Sequence, residues 1–155
     1  MAIERARAWL KEFDLDGRIL EFEVSSATVE LAAKAAGVIP ARIAKSMAFM
    51  TPEGPILVVT AGDARIDNPK FKAQFHTKAK MLGHDEVESL IGHAVGGVCP
   101  FGVEPGVRTY LDASLRRFDT VFPACGSSNS AIELTNDELE RAAQNFSGWV
   151  EVCRL

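Results

Sequence analysis

Apolar and polar residues alternate along the chain in short blocks, which predicts short helices interleaved with short strands. Apolar side chains recur at helical spacing across residues 2–13, as in an amphipathic helix. Thr28 is placed to cap a helix that ends at Ala36, and Gly37 supplies its stop. Thr135 and the glutamate three residues later form a capping box for the last helix. Further helical segments are predicted at residues 41–44, 68–75, 85–91 and 113–117.

The strongest strand signals lie at Ile43–Met50 and at Ile56–Ala61. Both runs are short and apolar, and a turn containing two prolines and a glycine separates them, which predicts a hairpin. Other strands are predicted at residues 19–24, 107–111, 120–124, 131–134 and 149–153. The irregular mixture of short strands and helices predicts an α+β fold with a mixed, mostly antiparallel β-sheet flanked by helices. At 155 residues the chain is predicted to be one domain, 1–155.

A charged residue interrupts the first strand of this hairpin. Side chains alternate along a strand, so Lys45, Met47 and Phe49 share a face, and the two apolar members point that face into the core. Burial of a lysine is costly unless its ammonium group emerges in a pocket or meets an anion. The alternative is a packed stem whose charged end reaches water at the end of the strand. The pattern leaves both interpretations open.

Charge is distributed unevenly in this chain, whose net charge is −4. That total argues against a protein that coats long stretches of duplex, but it permits one that grips the end of a nucleic acid. Residues 64–80 contain five basic residues and one acidic residue, which gives this segment +4. The segment is either a solvated helix face or a patch that follows phosphates.

The cysteines and histidines do not form a recognisable metal or disulfide pattern. Cys99 and Cys125 leave two alternatives, a nucleophile that needs a distant base or a small buried thiol. No apolar run approaches the ~20 residues of a membrane span. The first seven residues have mixed charge and no apolar signal core. We therefore expect a cytoplasmic protein without metal, cofactor or membrane association.

A glycine-rich stretch, residues 92–103, is the second region of interest. Its adjacent glycines, Gly96 and Gly97, allow the backbone to approach a ligand closely. The spacing is neither a Walker nor a Rossmann motif.

Six short segments, spread over most of residues 28–134, form an ordered set. They are Ala32-Ala33 to Gly37-Val38, Ile43-Ala44-Lys45-Ser46, Val58-Val59-Thr60-Ala61-Gly62-Asp63, Gly96-Gly97-Val98-Cys99-Pro100-Phe101-Gly102, Leu111-Asp112-Ala113-Ser114-Leu115, and Ala124-Cys125-Gly126 leading to Ile132-Glu133-Leu134. Together, and in this order, they resemble the YbaK/EbsC family, free-standing relatives of the editing domain inserted in bacterial prolyl-tRNA synthetases.

The resemblance implies a partly closed mixed sheet and an enzyme that hydrolyses the ester of mischarged aminoacyl-tRNA in trans, for example Cys- or Ala-tRNA(Pro). It implies the acceptor end of mischarged tRNA as a partner and an aminoacyl-tRNA synthetase as a further one. Departures at Ser46, Ala131 and residues 124–126 leave the amino-acid specificity open. The alternatives are a non-catalytic module that binds aminoacyl-tRNA or a synthetase, and a hydrolase of small esters or amides.

The resemblance also implies the site residues. Lys45 matches the family's pocket lysine and would hold the terminal phosphate or ribose, while Gly96 and Gly97 match its pocket glycines. Backbone N–H groups near these glycines would form an oxyanion hole, worth roughly 3–4 kcal/mol per donor. These three are the predicted catalytic residues. The predicted substrate-binding residues are Ser46, Phe101, Gly126 and Asp63.

Overall fold

The computed structural model describes residues 2–155, in which short helices and strands interleave as predicted. Three short 3-10 turns, at Asp16–Arg18, Pro40–Arg42 and Ala113–Arg117, connect them. The helices are α1 (Ala2–Lys11), α2 (Val29–Ala36), α3 (Asn68–Phe75), α4 (His84–Ile91) and α5 (Asn136–Ala142). The strands are β1 (Leu20–Glu21), β2 (Ile43–Thr51), β3 (Gly54–Ala61), β4 (Arg65–Ile66), β5 (Arg108–Asp112), β6 (Thr120–Pro123), β7 (Ser130–Ala131), β8 (Leu134–Thr135), β9 (Phe146–Val150) and β10 (Cys153–Arg154).

Local side-chain chemistry sets the helix ends. The Thr28 hydroxyl accepts a hydrogen bond from the Leu31 amide at the start of α2, and Gly37 takes the left-handed conformation after it. The capping box at Thr135 is present. In α3 the cap is Asp67, one residue before the position that the sequence predicted.

A six-stranded mixed sheet forms the centre of the fold, in the order β8-β6-β2-β3-β5-β9. The predicted hairpin is β2–β3, in which Lys45 lies opposite Thr60 and Met47 opposite Val58. Strand β6 joins β2 in parallel, and β3–β5 and β5–β9 are also parallel. The mixed α+β class is therefore confirmed. Of the seven strand pairs in residues 2–155, four are antiparallel and three are parallel. Two of the four antiparallel pairs are the small ladders β1–β7 and β4–β10, which lie outside the central sheet.

Two predicted strands are each divided between different sheets. Residues 131–134 split between β7 and β8, and residues 149–153 split between β9 and β10. At the second division, the Val152 amide donates to the Asp112 carboxylate, and the Val152 carbonyl accepts from the Asp67 amide. These bonds occupy both main-chain groups of Val152, so regular pairing stops there.

Both sides of the central hairpin are packed. Phe49 of β2 is buried in the main core, where its ring centroid lies 4.9 Å from that of Phe71 on α3. Its neighbour Ala48 belongs to a second cluster with Leu57 and Val87. Lys45 therefore belongs to a strand that is packed on both faces. None of the helices in residues 2–155 has the length and hydrophobicity needed to cross a membrane.

Candidate active site

A gap in the sheet defines the candidate site. On one edge, β2 pairs with β6 only at Ile43 and Ala44. Further along the same edge, the 80–82 segment pairs with β2, because the Leu82 amide donates to the Ala48 carbonyl at 3.0 Å. Between these two neighbours, no strand within residues 2–155 pairs with residues 45–47 on this edge.

A cavity of about 390 Å³ opens at this gap. Six consecutive residues of β2, 43–48, line it. Successive side chains point to opposite faces, so contact with six in a row means that the edge of the strand borders the cavity. The other walls include residues from 26–32, 81–87, 95–98, 122–124 and 130–131.

Most side chains in the cavity wall are apolar. Of the described residues that line it, only Lys45 and His84 carry a basic side chain, and no Asp, Glu or Cys is present. The hydroxyl oxygens of Ser26 and Ser46 are buried and have no hydrogen-bond partner within residues 2–155. The cavity therefore suits a small organic group with few polar atoms, in keeping with the usual character of ligand sites.

Lys45 reaches the cavity with a half-buried side chain. Its Nζ donates to the carbonyl oxygen of Ala64 at 3.2 Å. An ammonium group has three donors, so this bond leaves two for a ligand. Lys45 thus contributes to the cavity wall, and its charged end is hydrogen-bonded to Ala64, which lies outside the lining.

Asp63 is directed to a different partner. Its carboxylate accepts hydrogen bonds from Arg117 at 2.5 and 3.1 Å. These bonds hold the pKa of Asp63 below its usual value, and the charge of Lys45 contributes in the same direction. Asp63, a predicted substrate-binding residue, is not among the residues that line the cavity.

The two predicted glycines occupy different positions. Gly96 lines the cavity with φ +94°, and its amide has no hydrogen-bond partner within residues 2–155. The amide of Gly97 donates to the Ala94 carbonyl at 3.0 Å, so it closes a turn and is not free for a ligand. A Cβ on Gly97 would lie 2.6 Å from the carbonyl carbon of Gly126. Gly97 and Gly126 therefore bring two loops together behind the lining.

Phe101, which the sequence predicted to bind substrate, lies in the core and is not among the residues that line the cavity. Its side chain is fully buried in the main core. The His93 Nε2 atom lies 2.6 Å from the Phe101 carbonyl oxygen and donates to it, and burial lowers the pKa of His93. The turn formed by Pro100 and Gly102 thus directs the ring inward.

The cysteines have the environment of inert buried thiols. Cys99 and Cys125 are fully buried, and burial raises the pKa of Cys99 to about 12 and that of Cys125 well above its usual value. A nucleophile must form a thiolate, which this environment opposes. Within residues 2–155, no group of three or more His, Cys, Asp or Glu side chains could hold a metal ion.

Several cavity residues were missed at the level of sequence. They include Val29 at the start of α2, Met81 and His84 beside the paired 80–82 segment, and Phe122 on β6. The Thr28 cap indicated where α2 begins, but no local pattern indicated which strand edge α2 faces.

A model of the aminoacyl-tRNA editing domain matches residues 23–142. The chain belongs to this editing-domain family. Every residue that lines the cavity lies between Ser26 and Ala131, inside the matched range. The family resemblance predicted from the sequence is therefore confirmed.

Three relatives place this editing domain among known proteins. The uncharacterized protein YwhH of Bacillus subtilis (strain 168) is 50% identical, over 99% of this chain and 98% of its own length. A proline–tRNA ligase of Thermotoga maritima is 31% identical over 57% of this chain, which corresponds to 15% of the ligase. The crystal structure of a candidate trans-editing enzyme for prolyl-tRNA synthetase superposes with a TM-score of 0.84 and 26% identity, covering 97% of each chain.

Proposed function

We propose that this protein is an aminoacyl-tRNA deacylase that removes wrongly attached amino acids from tRNA in trans. The observation that carries the proposal is the position of the cavity, which lies wholly within the part of the chain that matches the editing-domain family. Its apolar wall would hold the amino-acid side chain, while the ammonium group of Lys45 would hold the ribose or terminal phosphate of tRNA.

The chemistry needs few protein groups because an aminoacyl ester is already activated. Water would attack the acyl carbon, the bond from that carbon to the ribose oxygen would break, and the water proton would pass to this oxygen. The products are the free amino acid and tRNA. The amide of Gly96 would stabilise the oxyanion, and the two free donors of Lys45 would fix the ester against the water. Since no carboxylate of the described residues lines the cavity, the proton would move through the substrate's ribose hydroxyl or through water.

A basic strip next to the cavity would hold the tRNA. Lys78 and Lys80 are exposed, and within residues 2–155 their side chains make no ion pair or hydrogen bond. Lys80 directly precedes Met81 in the cavity wall, and Lys78 lies two residues before Lys80. Lys70 is less available, because its Nζ donates to the Cys153 carbonyl at 3.1 Å. Of the basic segment predicted from the sequence, Lys78 and Lys80 are therefore the best placed for phosphates.

Charge reversal of Lys78 and Lys80 to glutamate should raise the apparent KM for aminoacyl-tRNA by about tenfold and leave kcat nearly unchanged. The reason is that phosphate contacts position the tRNA without taking part in the bond change. Steady-state deacylation at several salt concentrations measures the effect, with Lys34→Glu on α2 as the matched control. An unchanged KM in the double variant would remove the strip from the proposed tRNA contact.

Hydrolysis of a panel of aminoacyl-tRNAs tests the proposed function. Cys, Ala and Ser on tRNAs for Pro, Ala, Thr and Cys would be incubated with the intact chain, and release of the amino acid measured. Hydrolysis of one member well above the uncatalysed rate supports a deacylase. Tight tRNA binding without hydrolysis would favour a non-catalytic module instead, and turnover of small esters with none on tRNA would favour a general esterase.

A further inference from the structure

The main-chain groups of Ser46 point into the gap in the sheet. Along an antiparallel strand, successive residues direct their N–H and C=O groups to opposite edges. The Ala48 carbonyl accepts from the Leu82 amide and the Met50 amide donates to the Lys80 carbonyl, so these residues face the edge away from β3. Ser46 lies two residues before Ala48 and therefore directs both of its main-chain groups to the same edge.

Neither main-chain group of Ser46 has a partner among residues 2–155. The ladder between β2 and β6 stops at Ala44, and the bonds from the 80–82 segment begin at Ala48. The buried hydroxyl of Ser46 also lacks a partner among these residues. Buried polar groups are normally paired inside proteins. Ser46 is half-buried and borders the cavity, so a molecule in the cavity can supply the partners. The cavity thus offers a ligand one donor and one acceptor from the same residue, the N–H and the C=O of Ser46.

An α-aminoacyl group offers the complementary pair. In an antiparallel ladder two opposite residues exchange both of their hydrogen bonds, N–H to C=O in each direction. The ammonium and carbonyl groups of one amino acid are spaced as in one residue of such a ladder. The cavity wall has no carboxylate among the described residues, so the acceptors for the ammonium group are uncharged hydroxyl and carbonyl oxygens. Of these, the Ser46 carbonyl lies on the same strand edge as an unpaired N–H of the same residue, which matches the donor–acceptor pair of an aminoacyl group.

We propose that the aminoacyl group of the substrate pairs with Ser46 as an added residue of the sheet. The Ser46 carbonyl accepts from the α-ammonium, and the Ser46 amide donates to the acyl oxygen and to the oxyanion that it becomes. The inference rests on the proposed function, and it adds a second oxyanion donor to Gly96. It also defines the substrate class as esters of α-amino acids with a free ammonium group, which excludes N-acylated and peptidyl esters.

The first test changes only the substrate. For the amino acid that the panel identifies, the protein would be given the aminoacyl-tRNA, the matching α-hydroxyacyl-tRNA and the N-acetylated form, each rate divided by its uncatalysed rate. The hydroxy analogue keeps the size of the substrate but loses the charged donor. We expect kcat/KM to fall about tenfold for the hydroxy ester and about 100-fold for the N-acetyl ester. Equal hydrolysis of the amino and hydroxy esters would overturn the inference.

The second test changes only the protein. Replacing Ser46 by the corresponding α-hydroxy acid turns the Lys45–Ser46 amide into an ester. The change removes the Ser46 N–H and only weakens, without removing, the Lys45 carbonyl as an acceptor opposite Thr60 of β3. We expect kcat to fall about 100-fold with a smaller change in KM, since the donor acts chiefly on the oxyanion. The same replacement at Ser147, which is exposed and lies outside the cavity wall, is the control. An unchanged kcat at Ser46 would overturn the inference.

The two proposals fail in different ways. If no aminoacyl-tRNA is hydrolysed, the proposed function is wrong. If aminoacyl-tRNA is hydrolysed and the hydroxy ester is hydrolysed equally well, the deacylase stands and the pairing with Ser46 is wrong. The substrate comparison uses the unmodified chain, so it gives an answer even when the backbone variant does not fold.

Discussion

Replacing Lys45 by methionine should lower kcat/KM for aminoacyl-tRNA hydrolysis by about 100-fold. Methionine keeps the unbranched stem that lines the cavity but removes the ammonium group and its two free donors. Hydrogen bonds to a charged group contribute about 1.5–3 kcal/mol, which corresponds to roughly 10–150-fold in rate. Single-turnover deacylation with the amino acid identified by the panel measures the change.

The matched control is Lys34→Met, which removes an exposed lysine of α2 that lies outside the cavity. It should hydrolyse the substrate at the wild-type rate. Thermal unfolding of both variants would establish that the Lys45 variant is folded, because the loss of one hydrogen bond to the Ala64 carbonyl is a small part of total stability. Full activity in the folded Lys45→Met variant would show that the lysine does not position the ester.

Replacing Phe101 by alanine should reduce the free energy of unfolding by about 3–5 kcal/mol. The side chain is fully buried in the main core, so its removal leaves a cavity there and no vacancy in the candidate site. Urea denaturation followed by circular dichroism measures the loss. The deacylation KM of the folded fraction should remain near the wild-type value.

Phe122→Ala provides the contrasting variant, because Phe122 on β6 is nearly buried and lines the candidate site. Its replacement should raise KM, because the loss of the ring removes part of the wall that would contact the amino acid. If Phe101→Ala left the free energy of unfolding unchanged and raised KM, the result would favour the contact with substrate that the sequence predicted.

The main-chain hairpin and the helix caps could be predicted because they depend on neighbours in the sequence. Thr28, Gly37 and Thr135 act within a few residues of their own positions, through local hydrogen bonds or backbone conformation. The apolar runs of β2 and β3 are joined by a turn, so their pairing is also a short-range event. The family resemblance placed Lys45 and Gly96, both of which line the cavity.

Other site residues could not be placed because their roles depend on contacts between distant segments. Phe101 and Gly97 lie in the same glycine-rich stretch as Gly96, yet one fills the core and the other packs against the backbone of Gly126. An isolated motif does not show which side of a turn faces a ligand. Asp63 is held by Arg117, 54 positions away, a pairing that no local pattern predicts.

The sequence by itself determined the α+β class, the central hairpin and the family, since each follows from local periodicity or from ordered motifs. Only the tertiary structure decided where the site lies. Strand β6 and the 80–82 segment arrive from opposite ends of β2 and leave its edge open at Ser46. Main-chain groups carry no residue-type signal, so their availability depends on which strands reach them. For this reason the sequence indicated cavity residues such as Lys45 and Gly96, but it did not indicate the open edge of β2.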